Sequence, residues 1–336
     1  MRTLLRALKA LGLVVLSAAV VLSIYVAMTW NRTYEAPLPA IHASSDPGVI
    51  KRGENLVFGV AHCVECHTDS SETFERYAET GERPSLKGGM AFAAAPLGVV
   101  YSKNITPDRE TGIGRYTDAQ VARMLRYAVR PNGRASIRPL MQFADMSDED
   151  VTAIVSFLRS QPPVKNTVPP NEWTLIGKVV KSLMPTFKPR TEVHARASAP
   201  PSRPTRERGE YLARGVANCS GCHSPLNQLT FALDGPEFSG GAAMEPRTIP
   251  GADRRLWFQP PNLTPQQGSA LLRFPDRETY VARFQHGGRK YQASPMPWDC
   301  FSKLSAEDAG ALYEFFKSLP PAGQAAPETP TVHADN

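Results

Sequence analysis

Two pentapeptides constrain this chain more than any other feature: Cys63-Val64-Glu65-Cys66-His67 and Cys219-Ser220-Gly221-Cys222-His223. Both read Cys-x-x-Cys-His, the spacing at which c-type haem is attached to a polypeptide. Two thiols separated by two residues reach the two vinyl groups of one macrocycle from a single short turn. The histidine that follows at once is placed to ligate the iron from the proximal side. A structural zinc site requires four convergent ligands, and a redox Cys-x-x-Cys pair has no use for the trailing histidine. The doubled pattern therefore predicts two covalently attached haem c groups on Cys63, Cys66, Cys219 and Cys222, with His67 and His223 as proximal ligands. The rest of the chain must supply two pockets, two distal ligands and a compartment in which such attachment occurs.

The surroundings of the motifs are duplicated too. RGENLVFGVAHCVECH (52–67) and RGEYLARGVANCSGCH (208–223) agree at Arg-Gly-Glu, Leu, Gly-Val-Ala and the motif itself, which marks an internal repeat. The segments that close the two units repeat as MSDEDVTAIVSFLRSQPP from Met146 and LSAEDAGALYEFFKSLPP from Leu304. Each opens on a Ser-x-x-Asp capping box, Ser147 with Asp150 and Ser305 with Asp308. Apolar residues then recur at helical spacing, and a Pro-Pro pair stops the helix. An approach helix and a closing helix are the two elements that cross in a cytochrome c fold, with Gly59 and Gly215 as expected contacts at the crossing. Asn104-Ile105-Thr106-Pro107 recurs as Asn262-Leu263-Thr264-Pro265, and Gly88-Gly89 as Gly240-Gly241. Turn chemistry accounts for both; the alternative is that they line a haem edge. Further helices are expected over TDAQVARMLRYAV and RETYVARFQHG.

Distal ligands are sought on the loop before each closing helix, where a methionine thioether raises the potential by stabilising reduced iron. In the second unit that loop is Ser294-Pro295-Met296-Pro297-Trp298-Asp299, with prolines aiming the sulfur of Met296. In the first it is Arg138-Pro139-Leu140-Met141-Gln142-Phe143-Ala144-Asp145-Met146. Met141 is the candidate; Met146 is the second choice, because it aligns with Leu304 and so belongs to helix packing. Cys300, the one cysteine outside the motifs, is expected as a small buried residue, with thiolate ligation as the alternative.

Residues Ala10 to Trp30 contain no charged side chain. A helix of that length spans about 30 Å, the thickness of a bilayer core. Arg2, Arg6 and Lys9 precede it, which orients the N-terminus to the cytoplasm. The run exceeds a signal-peptide apolar region and no clear cleavage site follows, so residues 1–34 are read as an uncleaved single-pass anchor in the bacterial cytoplasmic (inner) membrane. The haem-bearing part then lies in the periplasm. Residues 48–165 and 206–321 form two tandem cytochrome c units, with a basic Pro-rich linker at 166–205. Within it, NEWTLIGKVVKSLM forms a short amphipathic helix with Trp173, Ile176, Val179, Val180 and Leu183 on one side. Residues 322–336 are expected to be a disordered tail. The net charge of +6 is spread along the chain and draws it weakly toward anionic surfaces; it is no nucleic-acid footprint.

With Cys-x-x-Cys-His, Gly-Gly, Tyr101-Ser-Lys-Asn-Ile-Thr-Pro-Asp-Arg-Glu-Thr-Gly-Ile-Gly-Arg115, a Met loop and Met-Ser-Asp-Glu-Asp in order, the chain resembles the cytochrome c subunits of bacterial membrane-bound alcohol, gluconate and nicotinate dehydrogenases. The resemblance covers both units and is strongest in the first. It implies mainly α, class I cytochrome c domains whose His/Met haems carry electrons from a catalytic partner toward quinone or an oxidase. The chain departs from that family in having two haem motifs where three are typical, and in its N-terminal anchor. A general dihaem carrier between a dehydrogenase or quinol-linked donor and a respiratory acceptor is therefore equally in view. The enzymatic alternative is a dihaem peroxidase, or a dihaem enzyme with a Cys-ligated haem, either of which needs one open or thiolate-bound iron.

Overall fold

The computed structural model describes residues 2–138, 141, 143–227, 230–247, 249, 253–325 and 330–332. It is mainly helical. The first element, α1 (Arg2–Thr29), is a single helix in which Val26 alone is buried; it is long and apolar enough to cross a membrane. α2 (Pro47–Phe58) begins where Asp46 caps it, its carboxylate accepting from the amides of Gly48 and Val49, with Pro47 in the first turn. α3 (Cys63–His67) is the first motif, and α4 (Ser71–Thr80) follows it. An antiparallel pair, β1 (Ala91–Ala94) and β2 (Gly98–Tyr101), leads to α5 (Asp118–Tyr127) and α6 (Asp148–Ser160).

The chain then places β3 (Glu172–Trp173) beside β2 and forms α7 (Leu175–Leu183). α8 (Arg206–Tyr211) runs on as a π-helical turn over Leu212–Val216 before α9 (Cys219–His223), the second motif. β4 (Leu256–Trp257), α10 (Arg277–His286), α11 (Trp298–Phe301) and α12 (Ala306–Lys317) complete the second half. β5 (Thr331–Val332) pairs with β4, and Asn262 Nδ2 donates to the carbonyl of Ala322 at 2.7 Å, so these parts of the C-terminal segment lie against the second half. Residues 326–329 and 333–336 of the expected tail lie outside the described residues.

The repeat in the sequence is a repeat in packing. α2 lies on α6, and α8 lies on α12. The glycines at these contacts are Gly53 and Gly209 of the two Arg-Gly-Glu triplets, not Gly59 and Gly215. A Cβ on Gly53 would sit 1.9 Å from the carbonyl oxygen of Ala153, and one on Gly209 1.9 Å from that of Ala311. The preceding arginines lock the same joints. Arg52 Nε reaches Asp150 at 2.6 Å, and Arg208 grips Asp308 with two bonds of 2.8 Å, a bidentate geometry that favours Arg over Lys. The aspartates of the capping boxes thus serve the helix contact. Their serines still cap, Ser147 Oγ accepting from the Asp150 amide at 3.1 Å and Ser305 Oγ from that of Asp308 at 3.0 Å.

One apolar cluster, including Val57, Ile154, Leu212 and Leu312, spans both halves. The halves meet with two-fold character. Gly59 faces Lys303, and Gly215 faces Asp145. Residues 59 and 215 are equivalent in the repeat, as are 145 and 303, so one contact is made in both directions. Tyr211 completes the seam: its hydroxyl accepts from the Ser147 amide at 3.0 Å and donates to Asp150 Oδ2 at 2.5 Å. The segment expected as a linker is also tied down. Asp148 and Glu149 amides donate to the carbonyls of Arg196 and Ala197, and Asn166 Nδ2 donates to the carbonyls of Lys87 and Gly88 at 3.0 Å each.

Candidate functional site

Each pentapeptide forms a short helical turn entered through a left-handed residue, His62 (φ 39°) in one and Asn218 (φ 52°) in the other. Histidine and asparagine are among the non-glycine residues that accept this region most readily. The reversal throws the chain out of the approach helix and into the turn that carries both cysteines and the histidine. Cys63, Cys66 and Cys219 are partly buried, Cys222 is exposed, and none of them is in a disulfide. Burial pushes the Cys63 and Cys219 thiols up to about 12. Among the described residues no three His, Cys, Asp or Glu side chains converge as a metal-ion site.

The two histidines share one environment. His67 Nδ1 lies 2.8 Å from the carbonyl oxygen of Lys103, and His223 Nδ1 lies 2.8 Å from that of Pro261. A carbonyl only accepts, so each ring carries its proton on Nδ1 and leaves the Nε2 lone pair free for a metal. Desolvation lowers the pKa of both rings, favouring the neutral, ligating form. Lys103 and Pro261 immediately precede the duplicated Asn-x-Thr-Pro segments, and sequence reading missed their role because the acceptor is backbone, which no side chain reports. The only signal is their equivalent place in the repeat.

The Gly-Gly and Asn-x-Thr-Pro repeats build that support. The Gly88 amide donates to the His67 carbonyl and the Gly240 amide to that of His223, at 2.9 Å each. A Cβ on Gly241 would sit 1.8 Å from the Cys222 carbonyl oxygen, so the backbone closes on the motif where only glycine fits. Asn104 Oδ1 accepts from the Thr106 amide and hydroxyl at 3.0 and 2.7 Å while its Nδ2 donates to the Val164 carbonyl at 2.8 Å. Asn262 repeats this with Thr264 and Ala322. These side chains form turns that fasten the loop to the segment after the closing helix, as the turn reading expects.

Of the distal candidates, Met296 and Met141 are each partly buried against the core. Met296 lies in the loop before α11, its carbonyl accepting from the Trp298 amide at 2.8 Å. The Met141 amide donates to the Arg138 carbonyl at 3.0 Å; its neighbours Pro139, Leu140 and Gln142 lie outside the described residues. Met146 is fully buried in the core, and its carbonyl accepts from the guanidinium of Arg126, itself 2 % exposed. Cys300 is fully buried, and desolvation beside Glu65 and Asp299 holds its thiol well above the usual range. Arg138 Nε and Arg190 Nε are buried without a hydrogen-bond partner among the described residues, donors of the kind a propionate carboxylate takes.

A buried charge network, not foreseen from the sequence, joins the halves beside the first motif. Arg247 Nη2 pairs with Glu75 at 2.8 Å and Nη1 lies 3.7 Å from Glu65. Arg289 pairs with Glu75 at 3.3 Å and with Asp299. Arg247 stacks over Phe74 at 4.6 Å. His62 meets Phe301 edge-on at 5.6 Å between ring centres, so the loop that carries Met296 continues directly onto the first motif.

No family model matches the chain. The chain is similar to the cytochrome c subunit of alcohol dehydrogenase (quinone) from Gluconobacter oxydans (strain 621H), 34 % identical over 198 residues, covering 55 % of this chain and 37 % of that protein. Similarity to a nicotinate dehydrogenase subunit of Pseudomonas putida is 30 % over 222 residues, covering 65 % of this chain and 18 % of that protein. A diheme cytochrome c-type protein of Cereibacter sphaeroides is 27 % identical over 214 residues, covering 60 % and 67 %. The chain thus spans about a fifth of the nicotinate dehydrogenase subunit and somewhat over a third of the alcohol dehydrogenase subunit.

Proposed function

We propose, for a chain whose homologues are cytochrome c subunits of bacterial dehydrogenases and a diheme cytochrome, that it is a membrane-anchored periplasmic dihaem electron carrier. The observation that carries this is the twin placement of His67 and His223, each ring fixed through Nδ1 to a backbone carbonyl at 2.8 Å. Haem c supplies a reversible one-electron iron couple on a covalently held macrocycle. Cys63 and Cys66 would hold one such group and Cys219 and Cys222 the other, in two tandem class I cytochrome c units. His67 and His223 would ligate on the proximal side, Met141 and Met296 on the distal side. The burial of Met146 and its Arg126-bound carbonyl support Met141 over Met146, since a ligand must come free of helix packing. The burial of Cys300 among carboxylates disfavours a thiolate ligand there, and with it the Cys-ligated enzyme. With both irons closed by six ligands the chain would not turn over a substrate; it would act as an electron-transfer subunit or partner of a membrane-bound dehydrogenase, or of a respiratory oxidase.

The test is spectroscopic. Purified protein is expected to hold two haem c per chain, both low-spin, with Met–iron charge-transfer absorption. Met141→Ala and Met296→Ala should each remove that signature from one haem and leave the other. High-spin iron in the unmodified protein, or its turnover of peroxide, would overturn the carrier reading in favour of a dihaem peroxidase.

A further inference from the structure

Four cations line one cavity of about 290 Å³: Lys103, Arg130, Arg134 and Lys181, with the rings of Trp30 and Trp173 in its wall. Among the described residues none of the four is paired with a carboxylate. Lys103 Nζ donates only to the Pro169 carbonyl, at 3.0 Å, and Lys181 lies over Trp30 and Trp173 at 5.4 and 5.5 Å. Burial together with repulsion from Arg130 and Arg134 pulls Lys181 down to about 8. Concentrated like charge taken out of water without a counter-charge is unfavourable, and an anion in the cavity removes the penalty.

The position of the cavity identifies the anion. Trp30 directly follows α1, and tryptophan at the end of an apolar helix sits at headgroup level. α7 packs against α1, with Lys178 over Trp30 at 4.9 Å. Its inner side seats Gly177 on the Leu97 carbonyl, and the Thr174 hydroxyl donates to the Pro96 carbonyl at 2.7 Å. The other side is apolar and open: Leu175 is 75 % exposed, Ile176 53 % and Leu183 41 %. A short helix with outward leucines and isoleucine, basic residues beside them and a membrane helix alongside is built to lie in an interface.

We infer that α7 lies on the outer leaflet beside α1 and that the cavity formed by Lys103, Arg130, Arg134 and Lys181 binds the phosphate of an anionic phospholipid headgroup. This rests on α1 being an uncleaved anchor. Because the Lys103 carbonyl also holds His67, the bound lipid lies next to the first haem motif and steadies the attitude of that half toward the membrane.

The test uses the full chain in detergent and then in nanodiscs of phosphatidylcholine, with and without phosphatidylglycerol. Intact mass is measured first. A mature chain beginning beyond Trp30 removes the anchor and the site together. With the anchor present, native mass spectrometry is expected to find phosphatidylglycerol retained at least tenfold over phosphatidylcholine. R134Q combined with K181Q should bring retention down to the phosphatidylcholine level with both haem spectra unchanged, and R134K with K181R should keep it. Equal retention of the two lipids by the unmodified protein would overturn the site while leaving the anchor standing. So would a glutamine variant that still holds phosphatidylglycerol but shifts one haem midpoint potential, which would put the cations against a haem carboxylate.

Discussion

Single side chains separate ligation from packing. Met141 and Met146 are five residues apart on one loop, and Met146 is wholly buried whereas Met141 is not. Replacing a fully buried methionine by alanine typically costs about 2–5 kcal/mol. Met146→Ala is therefore expected to lower the denaturation midpoint and leave both haem spectra intact, whereas Met141→Ala should change one spectrum. Denaturant titration followed in parallel by haem absorption checks both. Gly241 is as exacting as any ligand. A methyl group 1.8 Å from the Cys222 carbonyl oxygen has no room unless the turn moves, so Gly241→Ala should yield protein with one covalent haem in place of two, read by intact mass.

At the scale of elements, the Arg-Gly-Glu triplet and the Ser-x-x-Asp cap are halves of one joint. Glycine lets the approach helix come down onto the closing helix, and the arginine beside it takes the aspartate of the cap. The sequence placed all four pieces in the repeat, but chose the wrong glycines for the contact, because small residues were sought near the motif and the helices touch one to two turns earlier. Gly209→Ala is expected to cost about 3 kcal/mol by overpacking. Arg208→Ala, which leaves Asp308 partly buried without its partner, should cost about 3 kcal/mol as well; urea melts of both variants check these values. α7 gives a pH dependence. Its Lys181 has a folded pKa of about 8 against 10.5 for a free lysine. The unfolded chain therefore holds more protons between those values, and stability should rise with pH across that window. Thermal melts of lipid-free protein in detergent are expected to show the rise, and K181Q to flatten it.

At the scale of the whole molecule, the two halves are a pseudo-two-fold pair clamped by buried charge. Arg289 is 9 % exposed and faces Glu75 and Asp299. Arg289→Ala leaves those acids buried with Arg247 as the remaining cation, and breaking such a network costs about 3–5 kcal/mol. Limited proteolysis should then cut the loops that carry Arg247 and Arg289 faster, because their hold on Glu75 of the first half is what docks them. An unchanged cleavage rate would show that the apolar seam alone maintains the docking.

What the sequence determined by itself was the local chemistry: two Cys-x-x-Cys-His turns, capped closing helices, an apolar N-terminal helix and the doubling of the whole unit. These are legible because each depends on residues close together in the chain. Tertiary structure decided everything that depends on two distant segments meeting. It chose the carbonyls of Lys103 and Pro261 as partners of the histidines, buried Met146, turned the apolar side of α7 outward and assembled the Arg247–Arg289 network between the halves. Those choices are made by backbone acceptors and by charges whose partners lie up to 214 residues away. No periodicity or spacing in the chain encodes such pairings, and only the folded packing of one repeat on the other selects them.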